Sequence, residues 1–251
     1  MGLTERQKER YARHLALKEV GREGQERLLA GRVLIIGAGG LGSPTAMYLA
    51  AAGVGTLGIV DADAVDVSNL QRQIAHGTSD IGKPKVDSIR ETIKNLNPEV
   101  TVRVHQTFVS EENIHNLLRD YDFILDATDN FQAKFLINDA CVMAGKSFCH
   151  AGILRFQGQL MTYVPGKGPC YRCIFKDPPS KQAVPSCKEV GIIGAMAGVI
   201  GSLQAMEAIK YLLGEGDLLI GKLLTYDALK NEFRTVRLPK QVPDCPICSS
   251  L

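Results

Sequence analysis

The 251-residue sequence has little that reads as a leader or as a membrane span, so neither is expected. Met1 to Lys8 contains no apolar signal region. A long uncharged stretch, Val190 to Met206, is interrupted by four glycines, Ser202 and Gln204, and Glu207 and Lys210 follow it. A buried helix is the expectation there. Charge of one sign is also missing: 29 Lys+Arg against 27 Asp+Glu leave +2, with no basic block, so neither nucleic acid nor a membrane surface is an expected partner. There is no repeat and no low-complexity tract. Because 45% of residues are hydrophobic and 22% charged, a disordered, collagen-like or coiled-coil chain is excluded in favour of one large globular domain, 1–251. An odd cysteine count, seven, without a leader points to a reducing compartment, the cytoplasm, where paired cysteines hold a metal rather than form disulfides.

The apolar pattern predicts an α/β fold. A charged segment, Thr4 to Leu29, reads as one or two short helices. The run Arg32 to Ile36 reads as a buried strand, and a glycine turn leads from it into an Ala-rich helix ending near Gly53. A second strand, Thr56 to Val60, completes a βαβ unit, the opening of a Rossmann-like, doubly wound sheet. Helical spacing recurs over Pro84 to Leu96 and Phe131 to Ala144, with strands at Val100 to Val104 and Asp122 to Asp126. The remainder changes character. Gly158 to Val164 and Leu218 to Arg237 read as an antiparallel extension around a long helix, Ile192 to Leu213. Residues 30–155 are thus the expected nucleotide-binding portion and 156–251 a second portion.

Four patterns carry chemistry. Gly37, Gly39 and Gly42, with Gly40 between them, fit G-x-G-x-x-G between strand and helix, where the backbone approaches a phosphate at a helix N-terminus. Asp61, followed by Asp63, ends the next strand and can accept hydrogen bonds from a ribose. The segment Ser68, Asn69, Leu70, Gln71, Arg72 precedes Lys85 at a helix start. Arg72 and Lys85 offer the fixed cations a triphosphate needs, the alternative being solvated surface charge. Thr128, Asp129 and Asn130 follow a strand at the same sheet edge. Asp129 suits Mg²⁺ bridging phosphate oxygens, or a helix N-cap. Cys170, Cys173, Cys245 and Cys248 form two C-x-x-C knuckles, the ligand set of a closed structural zinc site. Cys187, beside Lys188 in a Pro-rich loop, is either a reactive thiol or idle. Cys141 and Cys149 read as packing, and the five histidines, His150 included, show no metal-ligand spacing.

Together with Arg10 to His14 and Gly201 to Ala208, these motifs occur in an order that resembles the MoeB/ThiF family, bacterial relatives of ubiquitin-activating enzymes. The resemblance spans nearly the whole chain. It implies an adenylyltransferase that binds ATP and joins AMP to the C-terminal Gly-Gly carboxylate of a small ubiquitin-like sulfur-carrier protein, releasing pyrophosphate. The pathways it implies are molybdopterin, placed first, or thiamine biosynthesis, with sulfur from a separate donor such as a cysteine desulfurase. It further implies that Gly40, Asp61, Asn69, Arg72, Lys85 and Asp129 bind ATP or its Mg²⁺. In a homodimer, Arg13 would reach the partner subunit's triphosphate. The four knuckle cysteines would hold Zn²⁺, and Cys187 would be the thiol linked to the carrier in the thiamine branch, or a thiol not needed for adenylation in the molybdopterin branch. No sulfur-transfer domain is expected after Cys248. The alternatives on the same fold are an NAD-dependent oxidoreductase and an enzyme that adenylates a tRNA-modification carboxylate.

Overall fold

The computed structural model describes residues 2–179, 190–240, 242 and 244–249. One eight-stranded sheet organises them, in the order β3-β2-β1-β4-β5-β6-β7-β8. Its strands are β1 (Arg32–Ile36), β2 (Thr56–Val60), β3 (Thr101–His105), β4 (Phe123–Asp126), β5 (Ser147–Leu154), β6 (Gln157–Tyr163), β7 (Lys222–Asp227) and β8 (Glu232–Arg237). The first five run parallel, and β6, β7 and β8 join antiparallel. Chain order reverses at β1, which pairs with β2 on one side and β4 on the other. Ligands of doubly wound sheets bind beyond the carboxyl ends of the strands at such a switch point.

β1 is central because it is apolar on both faces. Val33 and Ile35 enter the core on one side of the sheet, Leu34 and Ile36 the core on the other, as strand alternation requires. Helices cover both faces: α1 (Glu5–Arg10), α2 (Ala12–Leu15), α3 (Gly21–Ala30), α4 (Gly42–Ala52), α5 (Lys85–Leu96), α6 (Ile114–Leu118), α7 (Phe131–Met143), α8 (Tyr171–Ile174) and α9 (Gly194–Leu213). The long helix α9 packs on α4, β5 and β6. Gly201 allows this approach, since a Cβ there would lie 2.6 Å from Pro44 and 2.7 Å from the Leu41 carbonyl. Thr45 Oγ1 donates to Gly201 O at 2.9 Å across the contact.

The N-terminal segment forms three short helical pieces rather than one or two. The first break falls where Tyr11 turns inward, 2% exposed, to accept a hydrogen bond from Asn97 Nδ2 at 2.9 Å. Helix α6 and the full span of β5 lay outside the predicted elements. Among the described residues no helix is long and apolar enough to cross a membrane.

Candidate functional site

The glycine turn after β1 is closed by two contacts that only glycine permits. Gly37 sits at φ +105°, and a Cβ there would be 2.7 Å from Ala127 O. A Cβ on Gly42 would fall 1.9 Å from Gly37 O. Gly42 therefore shapes the turn from beneath and does not line the cleft above it. Asp61 braces the same turn: Oδ2 accepts from Ala38 N and Oδ1 from Asp63 N, both at 2.8 Å. His76 ties in the following segment, donating from Nε2 to Ala38 O at 3.0 Å. Burial pushes the His76 imidazole pKa down, so it serves as a neutral strut.

That strut brings the cations to the glycines. Arg72 lies over Gly40, its Cγ 3.5 Å from where a Cβ would stand, and its Nη1 donates to Ser68 O at 3.0 Å. Asn69 Oδ1 accepts from Asp66 N at 3.2 Å, which fixes the short turn carrying Ser68 and Asn69. Lys85 begins α5 with its side chain 7% exposed and pairs with Asp63 at 2.9 Å. It is a held cation at the edge of the cleft, not a solvated surface charge.

The turn after β4 arrives from the opposite side of the switch point. Asp126 is buried, and both its oxygens are engaged. Oδ1 accepts from Thr128 N at 3.0 Å and Thr128 Oγ1 at 2.7 Å, and Oδ2 accepts from His150 Nδ1 at 2.7 Å. Lys134 Nζ lies 3.2 Å from Oδ2 and donates to Ala151 O at 2.7 Å. Burial alone would raise the Asp126 pKa, but the Lys134 charge and these hydrogen bonds outweigh it, holding the carboxyl well below the usual range. Burial, reinforced by Lys134, keeps the His150 pKa down and the ring neutral. The helix cap falls to Asn130, whose Oδ1 accepts from Ala133 N at 2.8 Å. Asp129 is exposed and makes no hydrogen bond or ion pair among the described residues.

These pieces meet in a cleft of about 2120 Å³. Gly37, Gly39, Gly40, Asp61, Asp63, Ser68, Asn69, Gln71, Arg72, Lys85, Thr128, Asp129 and Asn130 line it. It continues past Gly152 and Gln159 onto Thr225, Tyr226 and Arg234 of the antiparallel strands. Leu70 is not part of the lining. Nor is Arg13, which projects, exposed, from α2 while its neighbours Tyr11 and His14 hold the helix in place, His14 through Gln25 at 2.9 Å. Cys187 lies outside the described residues. The sequence reading missed Lys134 as a cleft residue and took the histidines as structural or surface, with His150 only a weak site candidate. The available signal was a lone lysine among apolar neighbours on α7, one turn beyond the Asp126–Asn130 segment.

The two cysteine knuckles converge outside the lining of the cleft. Their four sulfurs lie within 4.8 Å of one another, with separations of 3.9 Å for Cys170–Cys173, 3.6 Å for Cys170–Cys245 and 3.4 Å for Cys173–Cys248. A tetrahedral ion with thiolate bonds of about 2.3 Å sets its sulfurs about 3.8 Å apart, so the quartet fits one. The knuckle is locked to α7: Tyr171 N donates to Asn138 Oδ1 at 2.8 Å, and Arg172 grips Asp139 through two contacts of 2.7 Å. Cys141 and Cys149 are fully buried, and burial raises both thiols well above the ordinary range.

Residues 11–247 match the ThiF family. The SAMP-activating enzyme E1 of Haloferax volcanii is 46% identical over 248 residues, covering 99% of this chain and 91% of that protein. The sulfur carrier protein adenylyltransferase of Thermus thermophilus is 46% identical over 253 residues, covering 99% and 93%. The probable adenylyltransferase/sulfurtransferase MoeZ of Mycobacterium tuberculosis is 47% identical over 246 residues, 96% of this chain but 62% of that longer one. Among solved structures, E. coli MccB crystallised with MccA-N7isoASN superposes with a TM-score of 0.85 at 22% identity over 96% of this chain and 74% of that one. MccB with ATP gives 0.81 at 22% identity, covering 90% and 68%. At such identity the likeness speaks for the fold alone.

Proposed function

The chain belongs to the ThiF family, and from that membership we propose that it is an adenylyltransferase using ATP to activate the C-terminal carboxylate of a small sulfur-carrier protein. The observation that carries this reading is the convergence of the glycine turn, Arg72, Lys85 and Asp129 on one cleft that runs on to the antiparallel strands. A nucleotide alone would occupy the parallel half, residues 30–155. The carrier's extended tail would enter along the half from 156 to 251.

In the reaction, a carboxylate oxygen of the carrier bonds to the α-phosphorus of ATP, the bond from that phosphorus to the bridging oxygen breaks, and pyrophosphate leaves. No side chain has to remove a proton, because a terminal carboxyl with a pKa of about 3.5 is already ionised at neutral pH. The site's task is to hold two anions together and neutralise the charge that develops. The turn's backbone, with Gly39 and Gly40 in the lining, faces the phosphates. Arg72 and Lys85 supply positive charge, and Asn69 a neutral donor. Asp61 has acceptor capacity left for ribose hydroxyls after its two backbone contacts. Asp129, an unengaged oxygen donor, would hold Mg²⁺, which when bound would supply positive charge to offset that of the phosphates. Exposed and outside the lining of its own cleft, Arg13 suits delivery to the partner subunit's nucleotide in a homodimer. The closed set of four thiolates suits structural Zn²⁺. ATP use and reduced cysteines support a cytoplasmic setting, and a separate protein such as a cysteine desulfurase would provide the sulfur.

ATP–pyrophosphate exchange, with Gly-Gly-ending carriers added one at a time, tests this reading. Exchange that requires one carrier and its terminal glycine establishes the reaction and names the pathway, molybdopterin or thiamine. Absence of exchange with every carrier, from folded protein supplied with Mg²⁺, overturns it.

A further inference from the structure

The turn that follows β4 is held at nearly every residue but one. Gln204 Nε2, reaching in from α9, donates to the backbone oxygen of Asp126 at 2.8 Å. The Asp126 carboxylate takes both Thr128 donors on Oδ1 and His150 on Oδ2, and Lys134 spans the two oxygens at 3.4 and 3.2 Å. Asn130 caps α7. Between these fixed points stands Asp129, lining the cleft with no partner of its own among the described residues. Backbone fixed on both sides of an unengaged carboxylate is the arrangement of a pre-set ligand, because the cost of ordering it is met before the cation arrives. Packing restricts the network further: His150 is 2% exposed and packs against Tyr171 with ring centroids 4.3 Å apart and planes tilted by 44°.

We propose that Asp126, clamped by Lys134 and His150, is a positioning residue that fixes the Thr128–Asp129 turn so that Asp129 presents its carboxylate to a divalent cation carried by the nucleotide. This rests on the reading of Asp129 as a cation ligand and extends it to three residues that do not touch the cation. Groups that orient metal ligands typically affect metal affinity by about 10–100-fold. Their loss should therefore appear as weaker cation binding, with nucleotide contacts on the glycine turn untouched.

Mn²⁺ binding to the enzyme–ATP complex, followed by electron paramagnetic resonance, provides a readout independent of turnover. The Mg²⁺ dependence of pyrophosphate exchange provides a second. His150→Asn keeps a donor near the position of Nδ1, and His150→Ala removes it. We expect His150→Ala to raise the Mn²⁺ dissociation constant and the half-saturating Mg²⁺ about tenfold, with maximal exchange at high Mg²⁺ largely restored. His150→Asn should stay within about threefold of the parent. Lys134→Met should exceed His150→Ala if it folds, and the histidine pair keeps the test intact if it does not. Equal Mn²⁺ affinity in His150→Ala and the parent overturns the proposal. Asp129→Ala separates the two levels. If it binds Mn²⁺ like the parent, the reading of Asp129 fails as well. If it loses binding while His150→Ala does not, only the positioning role fails.

Discussion

Replacing Lys85 with methionine separates charge from packing at the site. Methionine has similar reach and is apolar, so it fills a position whose side chain is only 7% exposed. The abandoned partner, Asp63, is 56% exposed and regains water. Loss of so solvated an ion pair costs about 0–1 kcal/mol of folding stability. The effect on the reaction is larger. At about 4 Å and an effective dielectric of about 20, an ammonium and a phosphate oxygen attract by about 4 kcal/mol. Part of that attraction is already present with bound ATP and cancels from the barrier. Single donors to a developing anion are nonetheless worth about 10²–10³ in rate. Lys85→Met should therefore lower carrier-dependent ATP–pyrophosphate exchange by about 10²–10³ at saturating ATP, while its thermal midpoint stays within a few degrees of the parent. A variant within tenfold of parental exchange would refute the role given to Lys85. One that melts far lower would show that the Asp63 pair is structural after all.

Asp129→Ala should abolish exchange at ordinary Mg²⁺ and leave thermal unfolding unchanged, since Asp129 has no partner among the described residues; an active variant would move the cation elsewhere. Arg13→Ala should lower exchange without altering zinc content or folding, and mixing it with Lys85→Met should regain activity, because heterodimers carry one intact composite site; failure of mixed dimers to recover would confine Arg13 to its own subunit. Cys248→Ser should release one zinc per chain, measured by elemental analysis, and lower the midpoint by about 2–4 °C for each kcal/mol lost; full zinc retention would refute the four-thiolate site. His76 and His150 both have pKa values held below the ordinary 6.5 by burial. The unfolded chain therefore binds more protons as pH falls, and their contribution to stability, complete above about 6.5, declines below it by up to about 1.4 kcal/mol per pH unit for each group. Denaturant unfolding between pH 7 and 5 should follow that slope, and His150→Asn should reduce it; a slope unchanged in the variant would refute the assignment.

What the sequence made legible was set by local physics. The spans of β1 and β2 agree with the predicted strands residue for residue, because four residues that are apolar or glycine, beside a turn signal, leave one solution. The phosphate turn was legible because its glycines obey contacts within a few residues, Gly42 against Gly37. Lys85 was half legible. Its position at a helix start could be read, but its 7% exposure depends on Asp63, 22 positions away, and on the backbone bond from Lys85 N to the Asp63 carbonyl that holds them together. The Asp126 cluster was the least legible part. Lys134, His150 and Gln204 come from three elements, each adjacent to Asp126 only once β4, β5, α7 and α9 have assembled. Taken singly, a lysine on a helix and a histidine on a strand carry no chemical signature; a buried carboxylate gives them one, because it must be compensated by whatever reaches it. The same requirement explains why Lys134 and His150 lie in the lining of the cleft. A carboxylate at the carboxyl end of β4 lies at the switch point, where the sheet leaves room for a ligand, and the groups that neutralise it line the floor on which that ligand would rest.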